Sequence, residues 1–476
     1  MKDQSVKQLD RNEEEVHSNP LGREKTGKLL FQFSVPTIVS MLVSSLYNVV
    51  DQIFIGQGVG FLGNGATTVS FPLTTIGLAI SLLLGVGASG LYSLQLGRGE
   101  TDKASKTVGC SISFMLVVGI IYFILGELLL TTLLPIFGAT ADNYPYALEY
   151  SRIILMGMPF MILSNGLSNL CQADGSPAFS MVCMVAGALV NCVLDPLFIF
   201  VFGWGMTGAA LATIIGQIIS VVILLFYIPR FKNIKLHRDD YRMSWPVLAE
   251  VSRLGMAASL NQASILIVQI VLNNLLKEYG AQSIYGPDIP IAASGVAFKL
   301  NGIFISVMVG LAQGARPIVG FNYGAEQFHR VKKVMIQAMV SVIVLGTMVE
   351  LCFQIFPREL ILLFGQGDEL YIQFGVKMLQ IYLACICVIG VQALASNYFA
   401  AIAQPGKGVF LSLSRQIIFY IPLAFLLTYL YGIEGILFSQ PIADVLSVLI
   451  SVIMVFASFR QMDRMAKNSA ARTEAA

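Results

Sequence analysis

The chain has 476 residues, 56% of them hydrophobic and only 12% charged, with a formal net charge of +2. Soluble domains carry about 25% charged residues. A chain this apolar cannot make a wetted surface, so lipid is its expected solvent, and the small net charge gives no reason to expect nucleic acid.

Residues 1–28 are polar and heavily charged, and they lack the short basic start, apolar core and cleavage site of a signal peptide. The first span is therefore expected to be its own insertion signal. Twelve apolar stretches follow, near 29–55, 66–96, 108–137, 148–171, 177–202, 206–229, 248–276, 290–320, 334–356, 373–402, 408–431 and 435–459. Each is long enough to cross a bilayer as a helix. Residues 230–247 form a basic linker between the sixth and seventh, and 460–476 a tail. Counting Lys and Arg outside the spans, 22 fall in the N-tail, the 2–3, 6–7, 8–9 and 10–11 loops and the C-tail, against Lys277 and Arg358 on the other side. This bias predicts that both termini are cytoplasmic. The seven cysteines lie in or at the ends of apolar runs, away from His17, His237 and His329, and read as small hydrophobes.

The chain repeats itself. "GVGASGLYSLQLGRGETDKA" at 85–104 lies over "GLAQGARPIVGFNYGAEQFH" at 310–329, "DPLFIF" over "IPLAFL" and "GMTGAALA" over "GIEGILFS", at a nearly constant shift. Two six-helix halves result, 29–229 and 248–459. Six is even, so both enter the membrane the same way, and an all-α membrane fold of two lobes about a pseudo-two-fold axis along the membrane normal is predicted. A cavity between the lobes and alternating access by rocking follow from that arrangement.

Charge at bilayer depth is costly and marks function or a buried pair. Glu127 and Glu350 occupy matching spans and read as scaffold. Arg316 and Arg415 are expected to snorkel toward the basic side, and the role of Asp444 stays open. Lys299 is mid-span with no adjacent acid; with Gln269, Asn273 and Gln392 it forms a candidate substrate cavity. Asp51 ("YNVVDQIFIGQ") and Asp195 ("VNCVLDPLFIF") have no acidic counterpart in the second half. They lie about 33 and 27 Å along their helices, in the same half of one lobe. Tyr47 and Asp51, and Asn191 and Asp195, are each four residues apart and share a helix face. Pro196 frees the carbonyl of Cys192. Two such carboxylates cannot both stay ionised without a cation, so a proton or Na⁺ is expected between them.

Pro36 and Asp51 in the first span, "GRGETDKA", "LDPLFIF" and "GMTGAALAT" together resemble the multidrug and toxic compound extrusion (MATE) family, DinF-like branch, over residues about 25 to 460. The resemblance implies an antiporter that expels amphipathic, usually cationic compounds against inflow of H⁺ or Na⁺, with no other cofactor. It also implies an ion-coupling network of Tyr47, Asp51, Tyr150, Asn191, Asp195 and Thr213, with Pro36 as hinge. The acids that the NorM-like branch carries on spans 7 and 10 are replaced here by amides, which places H⁺ ahead of Na⁺. A lipid-linked or endogenous metabolite exporter (flippase) on the same fold is the alternative function. No catalytic set suggests an enzyme. A monomer in the bacterial inner membrane, in contact with lipids, is expected.

Overall fold

The computed structural model describes residues 19–475 except 138, 140–142, 287 and 363–368. Among them are twelve candidate spans: α1 Thr26–Gly58, α2 Gly65–Gly97, α3 Thr101–Ile136, α4 Tyr144–Ala173, α5 Pro177–Val201, α6 Gly205–Arg230, α7 Trp245–Ala281, α8 Ile289–Gly324, α9 Phe328–Ile355, α10 Glu369–Tyr382 with Ile386–Ala401, α11 Pro405–Tyr431 and α12 Ile433–Lys467. Long apolar runs satisfy every backbone group internally as helices, the spanning form open to them in hydrocarbon.

Helix pairing shows the two-fold repeat. In the first lobe α1 packs on α5, α2 on α4, α3 on α4, α4 on α6 and α5 on α6; in the second lobe α7 packs on α11, α8 on α10, α9 on α10, α10 on α12 and α11 on α12. The lobes meet through α1 with α8, α2 with α7, and α2 with α8. Glycines permit these approaches, because lipid offers no hydrophobic drive and helices associate by close packing. A Cβ at Gly310 would sit 2.7 Å from Ile38 Cα and one at Gly314 2.7 Å from Ser34 Cα, while Cβ atoms at Gly87 and Gly255 would overlap the carbonyls of Val251 and Leu83. All these positions lie in the half of the bundle that carries the basic loops. In the other half, a Cβ at Gly295 or Gly302 of α8 would meet nothing within 4 Å.

Several expectations change. The tenth span, expected as 373–402, is two helices bent by 50°. The break has a structural cap: the backbone N–H of Cys387, at the start of the second half, donates to Glu350 Oε2 of α9 at 3.3 Å. A carboxylate at a helix N-terminus satisfies donors that have no partner within the helix, which gives Glu350 its scaffold role. Glu127 is paired instead with Arg152 at 3.0 Å. Neither interior arginine snorkels. Arg316 is 3% exposed and donates across the seam to Ser89 Oγ and Asn169 Oδ1, both at 2.8 Å. Arg415 is held by Asp444, its Nε 2.7 Å from Asp444 Oδ1, and Gln440 Nε2 donates to the same oxygen at 2.9 Å. The helix of α12 runs on past its candidate span into the C-terminal tail, as far as Ala475. Cys352 is exposed, and only Cys110, Cys171 and Cys183 are fully buried.

Candidate ion-coupling site

Two close approaches build the site. Between α5 and α6, Gly187 and Gly216 face one another: a Cβ at Gly216 would lie 2.6 Å from the Gly187 carbonyl oxygen and 3.3 Å from Asn191 Cβ. This contact brings Asn191 to α6, where its Nδ2 lies 3.3 Å from Thr213 Oγ1 and 3.3 Å from Asp195 Oδ1. Between α1 and α5, a Cβ at Gly58 would overlap Ile199 Cγ2. Ile199 belongs to a π-helical stretch, Leu197–Val201, that follows Pro196. A proline cannot donate to the preceding turn, and π segments, rare in general, occur mostly as single-turn bulges inside α-helices. The bulge and Gly58 let the far end of α1 lie against α5, with Asp51 on the facing side.

Asp195 is fully buried, and Asn191, Asp51 and Tyr150 are 2%, 6% and 7% exposed. The Asp51 and Asp195 carboxyls face each other within hydrogen-bonding reach. Tyr47 and Tyr150 lie within electrostatic range of both, as does Cys192 of both acids. Three oxygens in this cluster, Asp51 Oδ1, Asp195 Oδ2 and Asn191 Oδ1, are buried without a hydrogen-bond donor. Buried polar atoms are normally satisfied, so a cluster of acceptors without donors around two carboxyls marks this as the candidate site.

The six network residues expected from the sequence thus lie together. Pro36 lies apart, fifteen residues before Asp51 on α1, where its carbonyl accepts from Ser40 Oγ at 2.9 Å. The expected cavity residues separate. Lys299, Gln269 and Asn273 are exposed. Gln392 is not a cavity residue: it is 3% exposed, and its Nε2 donates to the Leu411 carbonyl at 2.6 Å. That carbonyl sits just before the π-helical stretch Ser414–Tyr420 of α11, where the ordinary i+4 donor is displaced. Sequence reasoning missed Asn169 and Ser89, which receive Arg316, and Asp174, which anchors the linker. Their partners lie 53 to 227 residues away in the chain, a distance no local pattern reports.

Two six-helix lobes, a glycine-lined seam at one end and a buried acidic cluster inside one lobe define a secondary membrane transporter rather than an enzyme. The chain belongs to the MATE family: the MatE family model matches residues 36–197 and 281–426. It is 25% identical over 434 residues to the multidrug export protein MepA of Staphylococcus saprophyticus, covering 90% of this chain and 93% of that one. It is 26% identical over 438 residues to MepA of Staphylococcus aureus, with the same coverage. Its fold matches a multidrug resistance MATE family transporter of the MOP superfamily in an outward-facing conformation, with a TM-score of 0.87 at 22% identity over 93% of this chain and 98% of that one. A MOP superfamily transporter from Pyrococcus furiosus matches with a TM-score of 0.86 at 22% identity and the same coverage.

Proposed function

We propose that this transporter is a cation-coupled multidrug efflux antiporter, exporting amphipathic organic cations by alternating access, with H⁺ ahead of Na⁺ as the coupling ion. The observation that carries the reading is the facing pair Asp51 and Asp195, each with an oxygen that lacks a donor. One proton shared between them supplies that donor and removes the repulsion of two buried carboxylates. The MepA relatives are multidrug exporters by name, which supports small amphipathic molecules as cargo.

The excess of Lys and Arg at the end bearing both termini orients that end to the cytoplasm, in the inner membrane of a bacterium. The seam then closes the cytoplasmic side, and the acids lie in the outer half of the first lobe. In that state an external proton reaches Asp51 and Asp195, and α1 repacks against α5, with Pro36 as its hinge. The cargo leaves outward, and rocking of the lobes delivers the proton inside. In this reading Lys299, exposed on α8, repels or steers cationic cargo. The transporter works as a monomer, since both lobes come from one chain.

The test is efflux of a fluorescent lipophilic cation from preloaded proteoliposomes, wild type against Asp195→Asn, under an imposed pH gradient and then a Na⁺ gradient. Efflux driven by the pH gradient in wild type and absent in the variant supports the proposal. Equal efflux by both removes Asp195 from the coupling step.

A further inference from the structure

The basic end carries a second layer of contacts outside the glycine seam. Residues 19–24 precede α1 and contain one helical turn, Pro20–Arg23. Toward the first lobe, Asn19 Nδ2 donates to Asn233 Oδ1 of the linker at 3.0 Å. The linker is itself fastened to that lobe by Asp174, 1% exposed. Asp174 accepts from Tyr92 Oη at 2.6 Å, Tyr227 Oη at 2.7 Å, the Lys232 N–H at 2.7 Å, and the N–H and side-chain amide of Asn233 at 3.3 and 2.9 Å. Further along, Ser113 of α3 donates to the Tyr241 carbonyl at 2.9 Å. The linker therefore belongs mechanically to the first lobe.

Toward the second lobe, Arg330 at the start of α9 donates to the carbonyls of Leu21 at 3.0 Å and Glu24 at 2.7 Å. Asn322 of α8 donates to the Leu21 carbonyl at 3.0 Å and accepts from Arg330 Nε at 2.8 Å. The Leu21 side chain is 3% exposed, in the same apolar cluster as Phe33, Leu96 and Phe321. Arg330 makes no ion pair among the described residues; its donors go to two backbone carbonyls and an amide. A guanidinium used in this way holds a chain trace in place.

We propose that residues 19–24 form a clasp between the lobes, closed by Arg330 and Asn322, that must release whenever the basic end opens. The segment is continuous with α1 and tied to the linker, so it stays with the first lobe. The contacts that break are those from Arg330 and Asn322 to Leu21 and Glu24. The clasp rests on the alternating-access reading, but it makes no use of cargo or coupling ion.

The experiment is hydrogen–deuterium exchange on purified protein without cargo or gradient, comparing wild type, Arg330→Ala, Arg330→Lys, Asn19→Ala and a chain lacking residues 1–24. Exchange is read along the seam, at 34–38 and 310–324. Arg330→Ala and the truncation should each raise seam exchange at least about fivefold, which converts to about 1 kcal/mol, the net worth of a single ordinary hydrogen bond, with Arg330→Lys between them and wild type. Asn19→Ala, which removes the tie to Asn233 and the cap on the Leu21 N–H but keeps Arg330 and Asn322, should change the seam less than Arg330→Ala. Unchanged seam exchange in Arg330→Ala and in the truncation, with any rise confined to 19–24, would overturn the clasp. Should Arg330→Ala fail to fold, Arg330→Lys and the truncation carry the same comparison. Because the seam is read without transport, loss of the clasp and loss of the antiport reading give separate results.

Discussion

Arg316 reaches from the second lobe into the first and meets Asn169, a neutral amide, 2.8 Å from its guanidinium. Its other first-lobe partner, Ser89, is also neutral, and Nε and Nη1 are buried without acceptors. A buried cation with no carboxylate pays desolvation that hydrogen bonds to neutral groups only partly offset. Such a group destabilises the closed seam relative to an apolar residue of similar volume, and so keeps the closed state from being too deep. Arg316→Met should therefore leave thermal stability in detergent unchanged or raised by a few degrees, and slow efflux at least about fivefold because the seam opens less often. A variant that melts well below wild type would show that Arg316 holds the lobes together instead.

The acidic pair should behave as one unit. Asp51→Asn and Asp195→Asn each keep side-chain volume and remove the need for a proton, so each should cut gradient-driven efflux by at least about a hundredfold with folding intact. The double variant should be no worse than either single one, because groups sharing one proton are non-additive. Multiplying losses in the double variant would mean two independent roles. The readout is initial dye efflux at a fixed pH gradient, normalised to reconstituted protein.

The sequence carried the lobes, the repeat and the acidic pair because each is written locally or at a fixed period. Apolar length sets the spans, the shift near 225 pairs the halves, and Asp51 and Asp195 stand out against apolar neighbours with no acid at the matching positions. The bend in α10 was not legible: no proline lies at residues 383–385, and the break is capped by Glu350 from a neighbouring helix. Arg316 and Arg415 were misread for the same reason. Snorkelling is an argument about depth, whereas their partners are set by packing between helices: Asn169 lies 147 residues away from Arg316, and Asp444 lies 29 residues on from Arg415 in the next helix.

Gly216 tests whether helix contact builds the site. A methyl there would press on the Gly187 carbonyl at 2.6 Å and on Asn191 Cβ at 3.3 Å. Backbone cannot yield as a flexible side-chain tip can, so α5 and α6 must separate. Gly216→Ala should cost about 1–3 kcal/mol of stability and lengthen the Asn191–Thr213 contact, lowering coupled efflux more than Thr213→Val does. Wild-type efflux and melting in Gly216→Ala would mean that the two helices have slack.

The Arg415–Asp444 pair predicts a different pattern from Arg316, because here the charge has a partner. Arg415 Nε and Gln440 Nε2 both donate to Asp444 Oδ1, Tyr382 Oη donates to Gln440 Oε1 at 3.2 Å, and the second carboxylate oxygen, Oδ2, has no donor. Removing one member leaves a buried charge uncompensated, which typically costs about 3–5 kcal/mol, whereas replacing both by apolar residues is often neutral. Arg415→Met and Asp444→Leu should each lower the melting temperature sharply, and the double variant should recover most of the loss. Dye efflux in the double variant then separates two roles. Restored efflux makes the pair a packing element of the second lobe at the broken helices. Restored stability with efflux still absent makes it part of the transport cycle, with Arg415, its side chain 14% exposed, as the group that responds to cargo.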